Sequence, residues 1–365
     1  MSSRWGEQFC ISIFGESHGA SIGVVIDGLP SGIPLDLAEI SQFMQRRAPG
    51  RNKTSTARQE SDLPQIQSGF HNGVTTGTPL CAVIANSDTH SSDYAPFSAI
   101  ARPGHADYTG AVRYGGHQDV RGGGHFSGRL TAPLCFAGAV AKQLLKQKGI
   151  LVGAHIAQIA GVSDLAFDPV SLDADTLLCA GQRDFPVLDV QAGETMREKI
   201  EAARMAQDSV GGVVECAAIG LPAGIGSPMF GGLENRIASI VFGIPAVKGL
   251  EFGAGFAVAQ RYGSENNDAF CLQNGQIRTA TNHAGGILGG ISNGMPVVFR
   301  AAFKPTPSIS QEQHTVDFRA MQETSIAIHG RHDPCVVGRA VPVVEAAAAI
   351  AIADACIEIF GLQNW

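Results

Sequence analysis

Residues 14–30 read FGESHGASIGVVIDGLP, and the fold turns on whether this stretch is a strand–turn–helix or a strand–turn–strand. Gly15-Glu16-Ser17-His18-Gly19 matches G-x-S-x-G, the pattern of a serine hydrolase elbow, in which the serine sits on a strained turn between a strand and a helix. Such an elbow normally follows several strands. Here only one short apolar run, Phe9–Phe14, precedes it, and SIGVVIDGLP reads as a strand, so Ser17 is a weak nucleophile candidate, and whether His18 beside it is the working residue stays open at this point.

Further strand-like runs are Leu80–Ile84, Val213–Ile219, Phe256–Ala259 and Pro296–Phe303, beside Ser21–Ile26. Four helices are predicted among them. Asp36 caps the first in a capping box with Glu39, Leu37, Ile40, Phe43 and Met44 form its apolar face, and Pro49 stops it. The second spans about 131–148, with Pro133 in its first turn and Gly149 beyond its end; the third spans about 194–207. The last begins near Pro342 and ends by Gly361. Its apolar run 343–360 contains Glu345, Asp354 and Glu358, which favours a buried or interface helix over a membrane span. Strands and helices do not alternate as βαβ units, so the expected class is α+β, in a single domain over 1–365 with no linker.

Composition narrows the function classes. The 365 residues are 44% hydrophobic and 16% charged, with 45 glycines and a net charge of −7. That balance argues against a general nucleic-acid binder or an anionic-membrane surface, so any basic residues that matter act locally. Eight scattered cysteines show no C-x-x-C pair or zinc-ligand spacing, and the first residues lack the apolar core of a signal peptide; reduced thiols and a cytoplasmic location are expected.

Glycine-rich segments holding His, Arg, Asn or Lys recur at 15–19, 102–110, 113–129, 282–294, 304–308 and 330–334. Glycine lets backbone N–H groups face a cavity and arginine adds a fork of charged donors, a combination suited to phosphates and carboxylates. No Walker A or Rossmann fingerprint occurs. Singly, each segment has a plain explanation: a surface loop at 122–124, structural histidines at 18 and 105, a solvated basic face along Arg46, Arg47, Arg51, Lys53 and Arg58, a turn at Asp333. Their agreement points instead to an anion-binding enzyme site with histidine acid/base candidates, and the residues alone name no reaction.

FGESHG (14–19), RPGHADYTG (102–110), VRGGGHFSGR (120–129), NHAGGILGGIS (282–292), KPTPSI (304–309) and GRHDPCVVGRAVP (330–342) resemble, in order and rough spacing, the motifs of the chorismate synthase family. The resemblance implies a β-α-β sandwich, a homotetramer, and a lyase that converts 5-enolpyruvylshikimate 3-phosphate to chorismate and phosphate by 1,4-anti elimination with reduced FMN (FMNH2). By similarity, His18, not Ser17, serves the departing phosphate, His105 helps protonate the flavin, and Asp333 stands near the flavin atom that takes up hydrogen. Substrate contacts would fall on Arg47, Lys53, Arg102, Ser127, Arg129 and Arg331. Flavin contacts would fall on His125, Phe126, Ser127, Ala246, Gly289, Lys304, Pro305, Thr306, Pro307, Ser308 and Arg331.

The chain departs from the usual pattern at Ala48, Lys53, Gln59, His125, Phe126, Leu130, Leu134, Gly231 and Pro245, on the flavin side and in the anion clamp. No nicotinamide fingerprint appears, so dependence on an external flavin reductant is expected, without NADPH oxidation by the chain itself. Two further readings remain open at this level: a serine hydrolase on Ser17, and a catalytically silent relative that binds the same phosphorylated ligand.

Overall fold

The computed structural model describes residues 3–49, 60, 62–87, 97–328 and 333–365. The first sheet contains β1 (Arg4–Trp5), β2 (Cys10–Gly15), β3 (Ser21–Asp27), β4 (Gln65–Ser68) and β5 (Leu80–Ala85), in the antiparallel order β1-β2-β3-β5-β4. Strand alternation places Ile22, Val24 and Ile26 of β3 beside Leu80, Ala82 and Ile84 of β5 in the core. β2 and β3 form a hairpin in which Gly15 pairs with Ile22, so the G-x-S-x-G stretch is strand–turn–strand. The nucleophile elbow is therefore ruled out by backbone geometry.

The second sheet contains β6 (Leu151–Ile159), β7 (Val162–Ser163), β8 (Gly212–Ile219), β9 (Val247–Phe252) and β10 (Val297–Phe303), in the order β9-β10-β8-β6-β7, again antiparallel. β6 is not among the predicted strands. Its centre is buried on both faces, so its sequence lacks the alternation that marks a half-exposed strand. The predicted strand 256–259 is instead a short 3-10 turn, Gly255–Gln260, with Phe256 exposed; no layer among the described residues covers its apolar side chains.

Between the sheets lie α1 (Leu37–Arg47), α2 (Thr131–Lys146) and α3 (Val337–Phe360). α2 packs on β3 and β5, α3 on β6 and β8, and the two helices pack on each other. The result is a sheet–helix–sheet sandwich, α+β as expected. The helices touch closely because Gly138 has no side chain: a Cβ there would stand 2.2 Å from that of Ala346. α3 is long and apolar enough to cross a membrane, but its apolar window is wholly buried in the protein. It starts at Val337 rather than near Pro342. The proline interrupts one ladder bond inside the helix, and the burial of the helix on all sides offsets that loss.

The acidic residues of α3 are each used internally. Glu345 takes Arg46 and Lys142; burial disfavours its charge, yet the two cations outweigh burial and hold it at about 2. Asp354 accepts the N–H groups of Glu7, Gln8 and Phe9 and pairs with Arg236. Asp36 caps α1 through the N–H groups of Ala38 and Glu39, as predicted. The reciprocal half of the capping box is absent, because the Asp36 N–H donates to Gln143 of α2 instead. Leu37 is exposed and leaves the apolar face to Ile40, Phe43 and Met44. The third predicted helix runs over Val190–Met205, and all eight cysteines are free thiols.

Candidate active site

The turn after β2 presents Ser17 and His18, both buried. Against them lies the glycine loop Gly122–Gly124, whose three residues all have positive φ. A Cβ on Gly122 would stand 1.9 Å from Nδ1 of His18 and 2.8 Å from Oγ of Ser17, so only glycine permits this contact. The Ser17 N–H donates to the Gly124 carbonyl at 3.1 Å. Ser17 is thus walled in behind the loop, while the His18 ring has the loop on one side and a cavity on the other.

That cavity holds about 1000 Å³. His18, Arg47, Arg102, His105, Ser127, Arg129, Lys304 and Asp333 line it, as do His125, Phe126, Ala246, Thr306, Pro307 and Ser308. Segments widely separated in the chain therefore converge as the glycine pattern predicted. The segment 282–294 does not join them. Asn282 accepts from the Gly286 N–H, Ser292 supports Ile225, and Gly289 sits on a hairpin turn outside the cavity lining; Pro305 is also absent from the lining. Lys53 and Arg331 lie outside the described residues.

The arginines are anchored rather than solvated. Arg47, at the end of α1, is 2% exposed and pairs with Asp62 at 3.1 Å. Burial lowers its pKa to about 10, Asp62 opposes, and Arg339 and Arg129 add to the lowering; it stays charged at neutral pH. Arg129 reaches Asp62, Asn86 and the Ala85 carbonyl. Arg102 grips Asp107 with a two-pronged bond at 2.8 and 2.7 Å and lies over the Phe97 ring. The plainer alternative of a solvated basic face thus fails at Arg46 and Arg47, which pair inside the fold, as the anion-site reading expected of local basic residues.

Around these cations, His105 Nε2 and the Ser308 hydroxyl are 2.7 Å apart. Asp333 accepts from Arg339 Nη1 at 2.6 Å, and Arg339 Nε donates to the Arg47 carbonyl. Lys304 donates to the Gly104 carbonyl; burial, then the nearby Lys248, lowers its pKa. Two lysines close enough to repel each other favour an anion between them. At the rim, hydrogen bonds from Arg121 hold Asp119 at about 2, while burial and Asp119 raise Glu16. Residues that the sequence reading gave no role are Asp62, Lys248 and Arg339; Arg339 lies inside the 330–342 motif, whereas Asp62 carries no motif signal, since its role arises from pairing with the distant Arg47 and Arg129. Among the described residues no three His, Cys, Asp or Glu side chains are placed to hold a metal ion.

A sandwich with a buried cationic hollow and three imidazoles in its wall has the composition of a site for anionic ligands. Comparison with known proteins then narrows the class. The family model described as Chorismate synthase matches residues 9–357. Proteins named chorismate synthase from Lancefieldella parvula, Dehalococcoides mccartyi and Thermococcus kodakarensis are 45%, 48% and 46% identical, over 96–97% of this chain and 96% of each relative. A solved structure titled "Crystal Structure of Chorismate Synthase" superposes with a TM-score of 0.77 at 28% identity, covering 98% of this chain and 94% of that one. The chain belongs to the chorismate synthase family, lyases of the shikimate pathway to aromatic amino acids.

Proposed function

We propose that the cavity binds 5-enolpyruvylshikimate 3-phosphate beside reduced FMN and eliminates phosphate to give chorismate. The observation that supports this most directly is the convergence of His18, His105 and the cationic residues on one space of about 1000 Å³. That is the upper end of single-ligand pockets and suits two guests. The residues also fit a flavin mononucleotide. Thr306 Oγ1 is buried and has no hydrogen-bond partner among the described residues, and it stands beside Lys304 in a lining that Ile240, Phe242 and Pro245 make apolar nearby. Lys304, Thr306 and Ser308 would hold the flavin phosphate, with the 125–127 segment and Ala246, strained at φ 74°, along the rest of the molecule. When bound in reduced form, FMN supplies electron density and a hydrogen acceptor for the elimination.

The chain's own residues do the remaining work. Arg47, Arg102 and Arg129 offset the substrate's phosphate and carboxylates, and their internal partners fix them before the ligand arrives. His18 has Nδ1 against Gly122, which leaves Nε2 to hand a proton to the leaving phosphate. His105, oriented by Ser308, holds a proton at the flavin side, and Arg339 holds Asp333 at the mouth of the same space. Lys53 and Arg331 would complete the anion clamp. Gly289, on a turn remote from this cavity, joins the flavin site only from a second copy, in keeping with a homotetramer. Exposed Phe256, Tyr262, Phe270 and Leu272, in that half of the chain, supply an apolar surface for such an assembly. The chain acts as one domain in the cytoplasm and takes its flavin ready reduced.

Anaerobic incubation with the enolpyruvyl phosphate and chemically reduced FMN tests the reading. Chorismate should form, and oxidised FMN with NADPH alone should give none. Substrate binding without chorismate would refute it.

A further inference from the structure

The glycine loop that confronts His18 is held from both sides by the two side chains that follow it. His125 Nδ1 donates to the Gly15 carbonyl at 2.8 Å, at the end of β2, three residues before His18. Because a carbonyl can only accept, this bond puts a proton on Nδ1, and Nε2 lies 2.8 Å from the Ser3 hydroxyl. Phe126 turns the other way. It packs over the helix Asp107–Tyr114, with its ring centroid 6.2 Å from that of Tyr114. Gly110 makes the seat: a Cβ there would stand 3.0 Å from the Phe126 ring. That helix begins two residues after His105, and Arg102 locks its first turn through Asp107.

We propose that His125 and Phe126 are positioning residues, which clamp the loop Gly122–Gly124 between the turn carrying His18 and the helix following His105. The clamp fixes the spacing of the two imidazoles across the ligand space. A loop of three left-handed glycines has the most backbone freedom to lose, so it needs such anchors to press on His18 at a constant distance. The adjacent Ser17 N–H to Gly124 bond is a backbone bond and survives only while the loop stays docked.

The inference rests on His18 and His105 being the working residues, so its test has an arm that needs no turnover. In His125→Ala and Phe126→Ala, kcat should fall about tenfold or more with KM for the enolpyruvyl phosphate little changed, since misplacement of about 1 Å costs up to ~10²-fold. His125→Asn keeps the donor at the Nδ1 position and Phe126→Leu keeps the apolar contact; each should recover most of the rate that its alanine counterpart loses. The double alanine variant should be no slower than the poorer single one, because either loss frees the same loop. Independently, diethylpyrocarbonate modification of His18, followed by peptide mass mapping, should quicken about fivefold in both alanine variants, the scale of one lost hydrogen bond. Unchanged kcat and unchanged His18 labelling would overturn the clamp, as would strictly additive losses. If wild type makes no chorismate, the reaction reading fails, while the labelling arm still decides this one.

Discussion

His18 and His155 are both buried imidazoles, one in each half of the sandwich, and their surroundings differ in kind. His155 stands in the middle of β6 with Nδ1 3.0 Å from Asp164 and Nε2 3.0 Å from Glu215, under the edge of the Phe167 ring. The two carboxylates are themselves held, Asp164 by the N–H groups of Leu188 and Asp189, Glu215 by that of Phe167. Every polar direction is answered inside the fold. His18 instead stands between the glycine loop and the cavity. The contrast teaches that what surrounds a buried histidine, more than its burial, sorts structural from chemical candidates: carboxylates on both nitrogens immobilise a proton, whereas a place in a cavity wall puts the ring within reach of a ligand.

Substituting each ring should separate the two roles. The largest effect is expected at the cavity: His18→Ala and His105→Ala should each lower turnover by about 10²–10⁴-fold in the anaerobic assay, with thermal stability nearly unchanged. His155→Gln should do the reverse. Removing one member of a buried charged cluster costs about 3–5 kcal/mol, visible in denaturant unfolding, while the folded fraction keeps its kcat. Equal stability losses at both histidines would erase the distinction.

The same comparison predicts a pH effect. Burial disfavours the charged form of His155, but the hydrogen bonds and charges of Asp164 and Glu215 outweigh it and raise its pKa. Its stabilising contribution is therefore complete below the unfolded value near 6.5 and lost as pH rises through the higher folded value. Asp164, lowered in the fold, loses its contribution only in acid, as pH falls through its folded value. Unfolding midpoints of wild type should decline on the alkaline side, and those of His155→Gln should decline less. A parallel decline in both would remove His155 from the account. The smallest effect is expected far from either ring: Asp36→Ala should cost about 1 kcal/mol through the lost cap of α1, measured by the same unfolding.

Local signals made part of this molecule legible in its sequence. Alternation exposed β3, and an acid before an apolar period exposed α1, because strand pleat and helix cap act over a few residues. The glycine-flanked histidines at 18 and 105 were legible as site candidates for the same reason. β6 was not, since a strand buried on both faces carries no alternation. Nor was the His155 cluster, whose partners lie nine and sixty positions away with no spacing rule to join them. Asp62 escaped for that reason too, whereas Arg339 lay inside the 330–342 motif and was given no role. The Phe256 segment failed differently: its apolar residues resemble a strand, yet they face outward.

The contact of Gly138 with Ala346 has a consequence for the order of assembly. Everything that builds the second sheet is synthesised between α2 and α3, so the apolar filling of the sandwich stays half made until that sheet has already appeared. Collapse must then wait on a very distant pairing, which predicts slow refolding and a sticky, helix-seeking precursor during synthesis.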